Sequence, residues 1–465
     1  MAEHIIVTAS DWNEIKAENI KADSDDVKKD VLKQLKEFAS RSDDVNNMGL
    51  HFYNDKLSSA GFVGAKSFRY CDQKDIILYI SPRFSVDPYI MLNSVLEDVE
   101  YENYELDRKD RAPLYTVFDR ESMIPSSGSD LGGELLLAVS YIKSCELVCK
   151  KVLRSRMTFY EENLNGRIKG KILFSKQIKY NISVGREDRA FCRYQTFSID
   201  TPENRILKAA LIKAARIIDK SAVDSRRKLP SIRKSIRYCM KMLNNVKQID
   251  LSRNQFTNLK INGLYSYYQR PIQLAKLICE KGRLSASYDE KHEYKIIPYA
   301  INMESLFEYY VRTRLRKEEF YLEEYNKKFK YLKTQENCGH LDESYIPDIV
   351  LYRRTDEGHK GECLGVFDVK YKDHSVPDRN DSHQLMSYVL MFDTGLCGFI
   401  MPLKIGENVK SLSEANLNGA DSVLTDADIA VAGRAQINTQ RNLDIRYIEY
   451  LVSTNSEKQR LNSKE

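Results

Sequence analysis

A chain of 465 residues with 42% hydrophobic and 30% charged residues has the composition of a globular protein, and it is too long for one compact core. No apolar run approaches the roughly 20 residues that a membrane helix needs, and the acidic N-terminus lacks a secretory signal pattern, which argues against a membrane or exported protein. Nine scattered cysteines, an odd number, predict free thiols and a cytoplasmic location.

Charge is unevenly distributed along the chain. Residues 1–130 contain 16 Lys and Arg residues against 25 Asp and Glu residues, a net charge of −9. Residues 131–465 contain 56 against 42, a net charge of +14. Within residues 205–241, twelve basic residues stand against two acidic ones. Such a basic surface suits binding to a phosphate backbone, although two solvated helix faces would give the same charge.

The pattern of apolar and turn residues predicts a mixed α+β fold in four segments. Residues 1–128 form a strand-rich acidic domain, in which residues 48–84 hold most of the strands. Residues 129–290 begin with a long amphipathic helix over 131–162, continue with strands over 165–182 and 190–200, and end with two basic helices. Residues 291–452 form an α/β domain, and residues 453–465 have the composition of a disordered tail.

The third segment alternates between helix and strand. The spacing predicts a helix over about 299–319, strands over about 328–335, 346–353 and 363–371, a helix over 381–392 and a strand over 396–402. Residues 405–440 are polar and aperiodic, which predicts a long loop. The run YIEYLV predicts a last strand.

Charged side chains interrupt two apolar strands of this segment. Asp348 follows Pro347 in YIPDIVLY, and Asp368 and Lys370 lie in GVFDVKY, where residues two apart share a face. Burying unpartnered charges costs several kcal/mol, so the pattern predicts a compensating ion or surface. Two carboxylates on adjacent strands can hold Mg²⁺, while a lysine beside them orients or deprotonates the attacking water.

The tripeptide Asp-x-Lys alone carries little information, because Asp26-Val27-Lys28 repeats it in a charged segment. The apolar context distinguishes residues 368–370, although an ordinary surface Asp–Lys pair remains an alternative. The following helix places Gln384 and Tyr388 one turn apart on one face. There they could contact the carboxylates or a DNA backbone.

The chain resembles the PD-(D/E)xK nuclease superfamily in one pattern, a Pro-Asp pair followed about twenty residues later by Asp-x-Lys. More narrowly, the chain resembles the McrC family, the nuclease subunit of McrBC-type 5-methylcytosine restriction systems. The segments that carry this resemblance are NMESLFEYYV (302–311), FSIDTPENRILKAAL (197–211), NGRIKGKI (165–172) and AGFVGAKSFRYCDQKDIILYISPRF (60–84). His383 departs from it, since an aromatic residue is expected before Gln384.

The resemblance implies a type IV restriction endonuclease subunit with Asp348, Asp368 and Glu308 as metal ligands, Lys370 as a catalytic residue, and Gln384 and Tyr388 as auxiliary residues. Glu304 competes with Glu308, since both lie on one helix face a turn apart. The implied cofactor is Mg²⁺, with Mn²⁺ as an alternative. The chain lacks a G-x-x-x-x-G-K-[ST] loop, so we expect it to bind no nucleotide itself.

The resemblance also implies partners. The first is an McrB-like hexameric AAA+ GTPase, which the subunit would enter through its N-terminal region and would stimulate. The second is modified double-stranded DNA. Self-association through the nuclease domain is a further expectation. The basic residues expected to face DNA or a second subunit are Arg226, Arg227, Lys228, Arg233, Lys234 and Arg237. A catalytically idle activator of the motor and a stand-alone repair-type nuclease are the alternative functions.

Two other motifs have structural interpretations. The run DTPENR predicts a helix start in which Asp200 and Thr201 cap the first turn. Cys145 and Cys149 share a helix face, but the neighbouring sequence offers no further soft ligand, so core packing is favoured over a metal site. Cys338 and His340 likewise lack partners for zinc.

Overall fold

The structure is a computed structural model, and it divides into two compact units. It describes residues 4–40, 48–71, 74–96, 113–118, 121, 123–125, 132–221, 229–257, 259, 261, 263–284, 295–316, 320–323, 328–330, 344–373, 379–405, 429–438 and 444–454. The first unit contains Met1–Ile124 and Ile297–Glu465, and the second comprises Pro125–Ser225 and Leu229–Ile296. The predicted first and third domains therefore form one unit. The boundaries predicted near 128 and 290 lie outside the described residues.

The elements are numbered here in chain order. The helices are α1 (Asp25–Ala39), α2 (Pro88–Leu96), α3 (Gly132–Lys150), α4 (Phe174–Tyr180), α5 (Pro202–Ser221), α6 (Pro230–Met242), α7 (Gln269–Leu284), α8 (Met303–Leu315) and α9 (Arg379–Phe392). The strands are β1 (His4–Ser10), β2 (Ile20–Lys21), β3 (Leu50–Tyr53), β4 (Lys56–Ser59), β5 (Phe62–Cys71), β6 (Lys74–Ser81), β7 (Tyr115–Val117), β8 (Ile124–Pro125), β9 (Arg156–Asn165), β10 (Lys171–Ile172), β11 (Arg189–Ser198), β12 (Lys295–Ile296), β13 (Tyr299–Asn302), β14 (Phe320–Leu322), β15 (Phe329–Lys330), β16 (Ser344–Tyr345), β17 (Ile349–Arg354), β18 (Lys360–Val369), β19 (Leu396–Pro402), β20 (Ile429–Asn438) and β21 (Asp444–Val452). No described helix combines the length and the apolar composition needed to cross a membrane.

The first sheet of the first unit has the strand order β2-β1-β6-β5-β13-β7. Strand β13 comes from the C-terminal part of the chain, yet it pairs with β5 and β7 of the N-terminal part. Gly64 permits this pairing, because a Cβ there would lie 2.2 Å from the carbonyl oxygen of Tyr299. The shared sheet is the physical reason why residues 1–128 do not form a separate domain.

The second sheet of this unit has the order β14-β17-β18-β19-β21-β20. Strands β17 and β18 are antiparallel, whereas β18, β19 and β21 run parallel. Helix α9 connects β18 to β19 and buries Leu385 and Val389 against the sheet. Apolar residues on both faces explain why these strands read as nearly continuous hydrophobic runs. Gly398 is required here, since a Cβ would lie 1.8 Å from the carbonyl oxygen of Ile448.

In the second unit, helices α3, α5, α6 and α7 pack together, and β10, β11 and β9 form an antiparallel sheet. The DTPENR prediction is confirmed for Thr201, whereas Asp200 pairs with the Arg205 side chain instead of capping the first turn of α5. The hydroxyl of Thr201 accepts a hydrogen bond from the Asn204 N–H at 3.4 Å, and the Asn204 amide donates to the Ile199 carbonyl at 2.7 Å. Arg205 donates two hydrogen bonds to Asp200, each 2.7 Å long.

Helices and sheets occur in both units, so the predicted mixed α+β fold is confirmed.

Four local predictions were wrong. Residues 299–302 form β13 rather than the start of a helix, because they pair in the first sheet. The amphipathic helix ends at Lys150, and β9 follows it. Helix α4 replaces part of the strand predicted over 165–182. Strand β20 lies within the predicted loop 405–440, where its small residues Ala430, Ala432 and Gly433 give a weak strand signal; residues 406–428 and the tail from 455 lie outside the described residues.

Candidate active site

Strands β17 and β18 bring the two predicted aspartates together. Asp348 immediately precedes β17, and Asp368 is the penultimate residue of β18. The antiparallel register pairs Ile349 with Phe367, which places Asp348 alongside Asp368. The turn between the two strands therefore accounts for the spacing of about twenty residues in the sequence. Lys370 follows β18, and its backbone N–H donates to the Ile400 carbonyl at 3.0 Å.

Each of the two aspartates lies against a nitrogen atom of the protein. One carboxylate oxygen of Asp348, Oδ2, accepts a hydrogen bond from the Val369 N–H at 2.8 Å. Asp368 is only 1% exposed, and its Oδ2 lies 2.9 Å from Lys370 Nζ. This contact is an ion pair without hydrogen-bond geometry, and Oδ2 makes no hydrogen bond within the described part of the chain. Asp368 is thus a buried carboxylate with an oxygen available for a further ligand.

Electrostatics in this cluster favour an added positive charge. Burial raises the pKa of Asp348 well above its usual value, and the charges of Glu308 and Asp368 raise it further. Burial alone would lower the pKa of Lys370, but the charges of Asp368 and Asp348 oppose this, and the net shift is upward. A cluster of carboxylates that repel one another in a partly buried place is typical of a cation site.

Helix α8 contributes the third predicted acid, and the structure separates its two candidates. The charge of Glu308, which is half-buried, acts on Asp348. The carboxylate of Glu304 instead lies against Gly61, and the charges of Arg83 and Lys370 both act on it. This arrangement favours Glu308 as the acid that belongs with Asp348.

The auxiliary residues of α9 also reach this site. The Gln384 amide donates to the Tyr388 hydroxyl at 2.8 Å, and that hydroxyl donates to the Ile346 carbonyl at 3.2 Å. Burial raises the pKa of Tyr388 to about 12, and the charges of Asp368 and Asp348 contribute. Tyr388 therefore fixes the chain just before Asp348, while the exposed Gln384 lies at the surface.

Two residues of the site were missed by the sequence reasoning. Arg312 on α8 is 3% exposed, and it donates to the carbonyl oxygens of Asp348 at 2.6 Å and Glu323 at 2.7 Å. Asp381, in the first turn of α9, lies 3.8 Å from Lys370 Nζ and forms an ion pair with Lys372. The position of Arg312, one turn after Glu308 among apolar residues, was the signal that could have identified it.

A residue in the N-terminal part of the first unit contacts Tyr371, which follows Lys370. Arg83 donates to the Tyr371 carbonyl at 3.2 Å, and its own backbone N–H donates to Asp11 at 2.7 Å. Asp11 is fully buried, and burial raises its pKa. Strands β1 and β6, which these residues follow, therefore support the segment that carries Lys370. No local pattern in the sequence predicts this contact.

The predicted DNA-facing residues fall into two groups. Arg226, Arg227 and Lys228 lie outside the described residues. The other three, Arg233, Lys234 and Arg237, are exposed on α6 of the second unit, whereas the carboxylates belong to the first unit. Arg233 forms an ion pair with Asp219 at 3.0 Å.

Comparisons with known proteins point to one family. A family model described as "McrBC 5-methylcytosine restriction system component" matches residues 133–401, which is more than half of the chain. The comparison with curated proteins gave no match.

Two solved structures show a weak likeness. One is a half-complex from a tetradecameric assembly of Thermococcus gammatolerans McrB AAA+ hexamers with bound McrC, at 16% identity and a TM-score of 0.38, covering 99% of this chain and 100% of that chain. The other is the Thermococcus gammatolerans McrBC complex, at 17% identity and a TM-score of 0.28, covering 67% of this chain and 88% of that chain. Both TM-scores are too low to establish a shared fold.

Proposed function

Because the chain belongs to the McrBC family of 5-methylcytosine restriction system components, we propose that it is the McrC-type nuclease subunit, a Mg²⁺-dependent DNA endonuclease. The observation that carries this proposal is the buried carboxylate of Asp368, which lies beside Asp348 and 2.9 Å from Lys370 at the ends of two paired strands. The same arrangement without Lys370 or either aspartate would have favoured an idle scaffold.

The residues present fit a hard divalent cation. Carboxylate oxygens are the ligands that Mg²⁺ and Mn²⁺ prefer. Asp368 Oδ2 is buried without a hydrogen bond among the described residues, and the raised pKa of Asp348 reflects burial and negative neighbours. Asp348, Asp368 and Glu308 would hold the cation, with Mn²⁺ as the alternative to Mg²⁺. When bound, it would neutralise charge on the phosphate and make a water nucleophilic.

Lys370 is proposed to act as a cation. Its pKa is raised, because the charges of Asp368 and Asp348 outweigh burial, so its ammonium is protonated at neutral pH before a divalent cation binds. A protonated ammonium donates hydrogen bonds and cannot accept a proton from water. Lys370 would therefore orient the water or stabilise the negative charge of the phosphate as it develops.

Residues around the carboxylates hold them in place. Arg312 fixes the backbone of Asp348 through its carbonyl, and Tyr388 fixes the preceding residues through Ile346. These contacts lie on α8 and α9, which are regular elements of the fold, and they position the acids without touching a substrate. Gln384 is the exposed member of this group, and it is suited to contact a DNA backbone.

The partners proposed for this chain follow from the family. An McrB-like AAA+ GTPase hexamer would deliver modified double-stranded DNA, and this subunit would stimulate the GTPase and bind no nucleotide itself. Self-association through the nuclease domain and a cytoplasmic location are part of the same proposal. One of the Thermococcus gammatolerans structures contains McrB AAA+ hexamers with bound McrC, although its weak likeness to this chain carries no argument of its own.

The basic residues of α6 and of the segment before it are proposed to bind the DNA backbone. Three of them are exposed on α6, where a phosphate can reach them. The full set consists of Arg226, Arg227, Lys228, Arg233, Lys234 and Arg237.

Charge reversal tests this basic set. Reversing the charges of Arg226, Arg227 and Lys228 is expected to weaken DNA binding equally for all sequences and to flatten its salt dependence by about one unit of slope per lost phosphate contact. Reversal of Lys29 and Lys33, which are exposed on α1, is the control. An unchanged salt slope in the first variant would contradict the proposal.

The test of the proposed function is DNA cleavage in Mg²⁺ and GTP by the chain purified together with its partner NTPase. Wild type is compared with Asp368→Asn, which keeps the size of the side chain and removes its charge. The variant is expected to lose cleavage and to keep stimulation of the NTPase, because the site that it alters binds the cation rather than the motor.

The matched control is Asp373→Asn. Asp373 follows the same strand and forms an ion pair with Lys404 at 2.9 Å, outside the carboxylate cluster. This variant is expected to cleave like wild type. If wild type and Asp368→Asn both stimulate the motor and neither cuts modified or plain DNA, the chain is an activator of the motor rather than a nuclease. Cleavage by wild type without any NTPase would instead favour a stand-alone nuclease.

A further inference from the structure

Three cysteines of the second unit meet between two helices. Cys145 and Cys149 lie one turn apart on α3, and Cys239 lies on α6. Their sulfur atoms all lie within 4.8 Å of one another, and each residue is at most 1% exposed. Among the described residues, no other His, Cys, Asp or Glu side chains form a group of three ligand atoms this close. We call these three residues the thiol triad.

The structure supplies the third soft ligand whose absence from the neighbouring sequence argued against a metal site. Cys145 and Cys149 lacked a further soft ligand nearby in the chain, which favoured core packing. The fold supplies that ligand from a helix about ninety residues later, because α3 packs against α6. The odd number of sulfurs also means that one disulfide bond would leave a thiol unpaired.

The thiolate is the form of cysteine that binds soft metal ions. All three thiols are buried, so a thiolate formed there without a cation would be costly. A bound divalent cation would compensate that charge.

A carboxylate lies at the edge of the thiol triad. Glu146, which follows Cys145, accepts a hydrogen bond from Ser235 of α6 at 2.7 Å and lies 3.2 Å from Lys150 Nζ. Its negative charge acts on both Cys149 and Cys239. Glu146 therefore lies near the thiol triad without belonging to it, and its oxygens interact with Ser235 and Lys150.

The dimensions of the thiol triad suit a thiolate-bound ion. Zn²⁺ binds cysteine sulfur at about 2.3 Å, which places three sulfurs of one site roughly 4 Å apart. The sulfurs here already lie within 4.8 Å of one another, so small rotations of the side chains suffice. Three thiolates and one divalent cation leave a net charge of −1, which is a smaller buried excess than a monovalent cation would leave.

We propose that the thiol triad binds one divalent d¹⁰ cation of the Zn²⁺ class, and that this ion fastens α3 to α6. Binding replaces the S–H protons of Cys145, Cys149 and Cys239, which pass to solvent, and no oxidation is involved. The role is structural, since all three ligands lie on helices of one bundle. The site is separate in residues and in ligand type from the carboxylate cluster of the first unit.

The test is a titration of the full-length chain, reduced and stripped of metal, with Cd²⁺ as the spectroscopic probe. Binding to thiolates gives a ligand-to-metal charge-transfer band in the ultraviolet, and one equivalent is expected to saturate it. Zn²⁺ is expected to displace the band and to raise the melting temperature, because it binds the folded state. A chelator should reverse that rise.

Serine variants locate the site. Cys239→Ser, Cys145→Ser and Cys149→Ser are each expected to weaken Cd²⁺ binding by more than the roughly 10–100-fold caused by outer-shell changes. Cys279→Ser is the matched control, since Cys279 is equally buried on α7 of the same bundle and donates to the Leu251 carbonyl at 3.4 Å. Circular dichroism checks that each variant is folded.

Three results would overturn the proposal. The first is a reduced wild-type chain that gives no charge-transfer band. The second is equal Cd²⁺ affinity in the folded Cys239→Ser and Cys279→Ser variants. The third is a disulfide within the thiol triad, seen by mass spectrometry of non-reduced peptides from freshly prepared protein. The Asp368→Asn variant should bind Cd²⁺ at the thiol triad like wild type, so failure of the nuclease proposal leaves this test intact.

Discussion

The carboxylate cluster of the first unit and the thiol triad of the second differ in how the sequence announces them and in how closely their ligand atoms lie. The sequence predicts only the carboxylates, whereas among the described residues only the thiol triad has three ligand atoms within 4.8 Å of one another. Asp348 and Asp368 lie on neighbouring strands joined by a short turn, so their spacing in the sequence reflects their spacing in space. Cys239 joins Cys145 and Cys149 only through helix packing. Local strand pairing can be predicted from a sequence, whereas contacts between distant helices cannot.

The two groups also differ in the ions that they suit. Oxygen ligands select hard cations such as Mg²⁺ and Mn²⁺, and thiolates select soft ones such as Zn²⁺. Lys370, which is proposed to act in catalysis, lies beside the carboxylate cluster, while the thiol triad has no exposed member. The contrast predicts that one site is needed for cleavage and the other for stability.

The largest expected effect is on cleavage and comes from Lys370→Met. Methionine keeps roughly the length of the side chain and removes the charge, so stabilisation of the phosphate is lost. Cleavage is expected to fall by about 10²–10⁴-fold, in line with the loss of one positioned catalytic donor or acid. Single-turnover cleavage measures this effect, and Lys404→Met, which removes the partner of Asp373, is the control. A fall of less than tenfold in Lys370→Met would remove Lys370 from the mechanism.

The next effect is on stability and comes from Arg312→Met. This change leaves the carbonyl oxygens of Asp348 and Glu323 without their buried donor. Unfolding is expected to require about 2–4 kcal/mol less free energy, since unsatisfied buried groups cost about 1–3 kcal/mol each. Urea denaturation measures the loss. The control is Arg354→Met, at an exposed position of β17, which should change stability by no more than about 0.5 kcal/mol. Equal losses of stability in the two variants would refute the role of Arg312.

Only part of the fold and of the candidate site can be predicted from the sequence. The mixed fold, strands β17 to β19 and helix α9 follow from apolar runs and periodicity, and those runs also place Asp348, Asp368 and Lys370. Strand β13 could not be predicted, because its pairing with β5 depends on chain segments more than two hundred residues apart. Arg83 acts through a contact with distant backbone, which leaves no local pattern, whereas Arg312 leaves only its position among the apolar residues of α8 as a signal.

A third prediction concerns pH. The pKa of Asp348 is raised in the folded chain, so folding binds a proton that the unfolded chain has released, and stability falls as pH rises above the unfolded pKa of about 3.9. Without divalent cation, wild type should therefore lose more stability than Asp348→Asn does as the pH is raised from about 4 to about 8. Mg²⁺ should reduce the loss in wild type only. Parallel curves for the two proteins would contradict the role assigned to Asp348.

The smallest effect is expected from Tyr388→Phe. The change removes the hydrogen bond to the Ile346 carbonyl and the acceptor of the Gln384 amide, while the ring stays packed. Stability, measured by urea denaturation, is expected to fall by about 1 kcal/mol. Cleavage should fall less than in Lys370→Met, because Tyr388 only positions the chain before Asp348. A larger loss of cleavage than in Lys370→Met would assign Tyr388 a direct part in the chemistry.

The most direct test of the central claim is Mn²⁺ binding to the chain alone, followed by electron paramagnetic resonance of free Mn²⁺, because it requires neither the partner nor a chosen DNA. Wild type, Asp373→Asn and Cys239→Ser are expected to bind Mn²⁺ alike, and Asp368→Asn is expected to lose that binding. Equal Mn²⁺ binding by wild type and Asp368→Asn would contradict a cation-dependent nuclease centre at Asp348, Asp368 and Glu308.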